Sequence, residues 1–174
     1  MKYIMKAGVL YNQNYMLAQI KGILTGPEKK ILSSDGALLL QTDIHTLNAS
    51  AEKKADVRFR KYLLTDVSGT PYAIGKPGYA KEEDPANAGW PICRMPKVDH
   101  VQILIHDKDY LLVMRNSQNY HMKKSSGNFA IEIFHRGLGG GWEIEAEDEI
   151  TPEMICGIFI FCRYLEQENE FLIV

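Results

Sequence analysis

The chain has 174 residues, enough for one domain whose core buries about two-thirds of the surface an unfolded chain exposes. Twenty Lys+Arg against 22 Asp+Glu give a net charge of -2, and 45% of the residues are hydrophobic, which excludes wholesale disorder and a strongly basic nucleic-acid binder. Cys93, Cys156 and Cys162 are odd in number and lack C-x-x-C spacing, so neither a disulfide framework nor a thiolate zinc site is expected, and the protein reads as reduced and cytoplasmic.

The N-terminal stretch has no signal-peptide core, because Asn12, Gln13, Asn14, Gln19 and Lys21 interrupt its apolar residues. Short apolar runs then follow one another between polar turns: YIMKAGVLY, YMLAQIKGIL, KKILSS, ALLLQT and RFRKYLLTDVSGTPYAIG. Runs of this length, without sustained helical periodicity, predict strands and tight turns, hence an antiparallel meander. The clearest hairpin spans Tyr62 to Gly75, where Asp66, Ser68 and Gly69 supply an Asx-type cap and a positive-φ position. A second is expected to join VQILIH to YLLVMR through Asp107, Lys108 and Asp109, with later strands at Tyr120 to Lys123, Phe129 to Arg136 and Trp142 to Ala146. Gly75 to Pro96 holds four prolines and the run Lys81, Glu82, Glu83, Asp84, and reads as a long surface loop, with a lid as the alternative.

The C-terminal segment differs in kind. Thr151 is placed to cap a helix whose first position is Pro152, and Glu153 adds negative charge at its positive end. From Met154 to Leu165 apolar residues cover nearly the whole circumference, so the helix is expected to be buried, while MICGIFIFC is too short to span a roughly 30 Å hydrocarbon layer. Phe171 to Val174 reads as one more short strand. Many antiparallel strands and one apolar helix predict a mostly β (α+β) fold, a sheet closed around that helix, with Gly157 suited to a close approach between helix and wall.

The strand pair YLLTDVSGTPYAIG, the WEIEAE strand and the terminal ITPEMICGIFIFCRYLEQENEFLIV resemble the tubby C-terminal-like superfamily, in particular its small LURP-one-related proteins. The resemblance covers nearly all of the chain. It implies a single domain over 1–174, a closed antiparallel barrel of about twelve strands around a hydrophobic C-terminal helix. It also implies phosphoinositide-headgroup binding, as in larger tubby relatives, and membrane association, as in scramblase-like ones.

The nearest match to a headgroup site is the basic cluster Lys53, Lys54, Arg58, Arg60 and Lys61, diluted by Glu52 and Asp56. A solvated strand or loop face is the better account of those charges, because charge clusters need no ligand to be soluble. Met1 to Thr65 carries ten bases and five acids, or +5, and Glu143 to Val174 one base and nine acids, or -8, an asymmetry suited to an anionic surface or a basic partner.

Catalytic patterns are sparse. GLGGG at 137–141 leads into a strand, so it reads as a hairpin and not a phosphate loop, and no Walker, H-E-x-x-H or G-x-S-x-G motif occurs. His100 and His106 share strand parity and, with Asp99 or Asp107, outline a conceivable metal site, although ordinary hydrogen-bonded histidines fit as well. Cys93 has no adjacent base to make it a nucleophile; Cys156 and Cys162 read as buried hydrophobes. Trp90, Trp142, Tyr110, Tyr120 and Tyr164 fit either a ligand groove or ordinary packing. The expectation is a non-catalytic binding or scaffold domain for a lipid headgroup, membrane surface or protein partner, with no cofactor, no catalytic or metal residues, no nucleic acid and no transmembrane segment. Its expected location is cytoplasmic, extending to the membrane periphery. The alternative is a small hydrolase using a His/Asp cleft at a barrel end.

Overall fold

A computed structural model describes residues 1–22, 26–47, 56–84, 96–116 and 118–170. Lys53, Lys54, Trp90, Cys93 and the expected strand Phe171 to Val174 lie outside these.

Twelve antiparallel strands form a closed barrel. They are β1 (Lys2–Lys6), β2 (Val9–Asn12), β3 (Tyr15–Gly22), β4 (Lys29–Ser33), β5 (Leu38–Thr46) and β6 (Arg60–Asp66), then β7 (Pro71–Tyr79), β8 (Val98–Ile105), β9 (Lys108–Asn116), β10 (Asn119–Lys124), β11 (Phe129–His135) and β12 (Trp142–Ala146). Each pairs with its neighbour in sequence, and β1 closes the ring on β12 from Lys2↔Glu145 to Met5↔Trp142. Closure leaves no unpaired edge along the sheet.

The strands alternate, with Tyr62 and Leu64 of β6 pointing in and Leu63 outward, because successive side chains take opposite faces. The interior is filled by α1 (Pro152–Glu170), in which every residue from Met154 to Cys162 is buried. Each such Ile or Phe contributes about 1.5–3 kcal/mol relative to an exposed position. Aromatic packing joins helix to wall: Phe161 and Tyr164 lie against Tyr62 at centroid distances of 5.6 and 5.2 Å, and Phe159 meets Trp142 at 5.0 Å.

The Tyr62 to Gly75 hairpin forms as the sequence requires. Asp66 Oδ1 accepts from the Ser68 and Thr70 amides at 2.8 and 2.9 Å, and Gly69 takes φ +83°. Elsewhere local signals mislead. The turn between β8 and β9 is His106–Asp107, both at positive φ, and Lys108 and Asp109 already belong to β9. The expected loop from Gly75 is strand as far as Tyr79: pairing with β6 ends at Tyr62↔Gly75, so Pro77 sits where β7 keeps only β8 as a neighbour. The helix runs to Glu170, past its apolar segment, because the barrel wall holds its polar last turn. Pro152 and Glu153 occupy the first turn, but Thr151 does not cap through its side chain: its carbonyl accepts from the Ile155 amide at 2.9 Å and its Oγ1 is buried with no hydrogen-bond partner among the described residues.

The topology sorts the connections into two ends. Turns 13–14, 34–37, 67–70, 106–107 and 125–128 lie with the N-terminus of α1. The strand ends joined through the longer connections β3–β4, β5–β6 and β7–β8 lie at the other end, with 136–141 and the C-terminus of α1.

Candidate binding surface

At the long-loop end a one-turn 3-10 helix, Val57–Phe59, precedes β6. Asp56 caps it, accepting from the Arg58 amide at 2.9 Å, and the same carboxylate takes Arg58 Nε at 3.0 Å and Nη2 at 2.7 Å. Asp84 stands 3.8 Å from Arg58, and the guanidinium lies 5.9 Å from the Tyr79 ring centroid. Burial alone would raise the Asp56 carboxyl, but bonds from the Arg58 side chain and amide and the Tyr79 hydroxyl hold it below the usual range.

Strand alternation then separates Arg60 from Lys61. Arg60 turns into the barrel mouth and pairs with Glu168 of α1, which is only 6% exposed and also accepts from the Tyr62 hydroxyl at 3.1 Å. Lys61 faces outward opposite His45, which is itself 3.1 Å from Asp43. The structure therefore divides the described members of the basic cluster: Arg58 and Arg60 are engaged by carboxylates, and Lys61 lies on the outer wall.

That outer wall carries two lysines the sequence reading did not single out. Lys21 of β3 and Lys30 of β4 are directly opposite each other, exposed and without a hydrogen bond or ion pair among the described residues. With Gly22, Glu28, Lys29 and Gln41 they line a surface depression of ≈ 320 Å³. Lys29 is committed to the Gly26 carbonyl at 2.6 Å. The only sequence signal for this site was the positive charge of the first 65 residues. Its counterpart is acidic. Glu132 of β11 lies opposite Glu145 of β12, with Glu143 on the same face, and Lys2 reaches Glu145 at 2.7 Å and Glu143 at 3.6 Å.

Of the groups weighed for chemistry, Trp90 and Cys93 lie outside the described residues, and the others are placed as follows. Cys156 and Cys162 are buried in α1; burial pushes the Cys156 thiol up to about 12 and raises Cys162 as well. His106 sits in a turn with its ring 4.5 Å from Tyr72, so it does not share a strand face with His100, which bonds Asp99 at 2.7 Å. Among the described residues no group of His, Cys, Asp and Glu is arranged to hold a metal. The two His–Asp contacts, His45–Asp43 on β5 and His100–Asp99 on β8, both lie toward the long-loop end, with β6 and β7 between them in the ring. Tyr110, Tyr120 and Tyr164 are buried in the core and Trp142 packs against it, so these rings form no exposed groove. His121 is lowered by burial and then by Lys123 and Arg115.

No family model matches the chain, and no curated protein sequence does. Among solved structures, the X-ray structure of an Arabidopsis thaliana protein is similar over 86% of this chain and 89% of that one, at 12% identity and a TM-score of 0.39. No helix among the described residues is long and apolar enough to cross a membrane.

Proposed function

We propose that the chain is a single tubby C-terminal-like barrel domain of the LURP-one-related kind over 1–174, acting as a non-catalytic binding or scaffold module. We place it in the cytoplasm, docking at the membrane periphery on anionic lipid headgroups. The observation that carries this reading is Lys21 facing Lys30 on the outer wall, neither with an ion pair among the described residues. Opposed like charges cost stability, and an anionic surface would repay that cost. Lys61 extends the basic wall toward the long-loop end, where Lys53 and Lys54 belong in sequence to the β5–β6 connection. Arg58 and Arg60 serve the fold and are not counted as headgroup ligands.

Each lysine near an anionic leaflet contributes about 1 kcal/mol, so losing two weakens binding about thirtyfold. The test is flotation of the full chain with neutral, phosphatidylserine-containing and phosphoinositide-containing vesicles at two salt concentrations. Binding to the anionic vesicles, lost in Lys21→Ala/Lys30→Ala with the melting temperature kept, supports the proposal. Absence of binding across the panel removes it. Binding equal for the double variant and the wild type moves the site off this wall.

A further inference from the structure

The barrel carries two opposed like-charge pairs of matching form. Lys21 and Lys30 are direct cross-strand partners on β3 and β4, and Glu132 and Glu145 are direct cross-strand partners on β11 and β12. All four stand on the outer wall, and cross-strand geometry sets both pairs about 5 Å apart at Cβ. Lys2 answers Glu145 and Glu143, leaving Glu132 with no ion pair among the described residues. Around the ring, β12, β1, β2 and β3 are consecutive, so the pairs face different directions and cannot neutralise each other within one molecule.

We infer that a second copy of this chain supplies the complement: Lys21 and Lys30 of one copy dock on Glu132 and Glu145 of the next. The repulsive Lys21–Lys30 pair gains attractive contacts, and Glu132, the member of the acidic pair that Lys2 does not answer, gains a partner. Phe134, 37% exposed and outward on β11 beside Glu132, and Leu32, half-buried and outward on β4 beside Lys30, border the two pairs. A closed sheet has no edge to lend, so side chains must make the contact. The joined patches are different, so the association is head-to-tail, capable of extending beyond a dimer. A net charge of only -2 leaves little overall repulsion between copies. The same lysines serve the proposed headgroup surface, so vesicles and a second copy compete for them.

The experiment is sedimentation equilibrium of the full chain without lipid, at about 0.02 M and about 0.5 M salt, where the Debye length falls from about 20 to about 4 Å. The expected result is an average mass above the 19.8 kDa monomer at low salt that returns to it at high salt. Lys21→Glu/Lys30→Glu and Glu132→Lys/Glu145→Lys should each be monomeric alone, and their equimolar mixture should associate again. Glu132→Lys alone, which keeps the Lys2 to Glu145 pair, should weaken association and covers the case in which the double variant fails to fold. A wild type monomeric at low salt overturns the inference, as does a mixture of two folded variants that stays monomeric. Glu132→Lys should leave vesicle binding intact, so the headgroup reading and this one can fail separately.

Discussion

Gly157 of α1 packs against Leu64 of β6 with no room for a side chain: a Cβ at this position would stand 2.6 Å from Leu64 Cδ2 and 3.0 Å from Cδ1. Leu64 is fully buried, so it has nowhere to retreat. Gly157→Ala gains about 1 kcal/mol in helix propensity but overpacks the interface by about 1–3 kcal/mol. A net loss of about 1 kcal/mol is expected in urea unfolding. Leu64→Ala alone should cost about 2–5 kcal/mol. In the double variant the new methyl occupies part of that cavity, so the combined loss should fall about 1 kcal/mol short of the sum. Simple additivity would mean that the two residues do not share this space.

Thr42 is the one buried polar residue among those described, and its hydroxyl lies 2.7 Å from that of Tyr164, which also donates to the Pro27 carbonyl. The helix is thus tied to β5 and to the β3–β4 connection by one phenol. Tyr164→Phe leaves Thr42 unpartnered in the core and should cost about 1–3 kcal/mol. Adding Thr42→Val, which removes the orphaned hydroxyl, should recover part of it. Thermal unfolding of the two variants checks this, and a lower melting temperature in the double variant than in Tyr164→Phe would contradict it.

The sequence made the barrel legible because its two strongest signals are local: short apolar runs between turns, and an apolar helix with Pro152 at its start. Most of its misreadings arise because pairing is not local. Pro77 looks like a loop residue until β6 is seen to stop before it. Arg58, Arg60 and Lys61 look like one cluster until strand alternation sends Arg60 inward and Lys61 outward. Lys21 and Lys30 are far enough apart in sequence to look unrelated, and only the β3–β4 register makes them partners. Thr151 offered the right residue type for a cap, but helix entry is fixed by main-chain bonding instead.

Arg60 and Lys61 should therefore respond differently to truncation. Arg60→Ala leaves the Glu168 carboxylate nearly buried with the Tyr62 hydroxyl as a remaining donor, and should cost about 3–5 kcal/mol. Lys61→Ala removes an outward side chain with no ion pair among the described residues and should change stability by no more than about 0.5 kcal/mol. Urea unfolding separates the two. Equal effects would mean that Glu168 tolerates loss of its partner, through hydration of the barrel mouth.

The long-loop end contributes to how stability varies with pH through two carboxyls shifted in opposite directions. Burial, with Glu170 one turn further along α1, outweighs Arg163 and His135 and raises Glu166 above its ordinary value of 4.5. For a group raised in the fold, stability is fully present below the unfolded value and is lost as pH rises through the folded one. Asp56 is lowered, so its contribution is present above the ordinary value of 3.8 and is lost as pH falls through the folded one. Acidification from neutrality should first recover the Glu166 contribution and then, below the ordinary carboxylate range, remove that of Asp56. Glu166→Gln should abolish the Glu166 contribution and leave the acid limb, whereas Asp56→Asn should reduce that limb, to which the lowered Asp35 and Asp66 also contribute. Melting temperatures across this pH range decide it: a wild-type minus Glu166→Gln difference independent of pH would show that Glu166 does not titrate differently in the folded and unfolded chain.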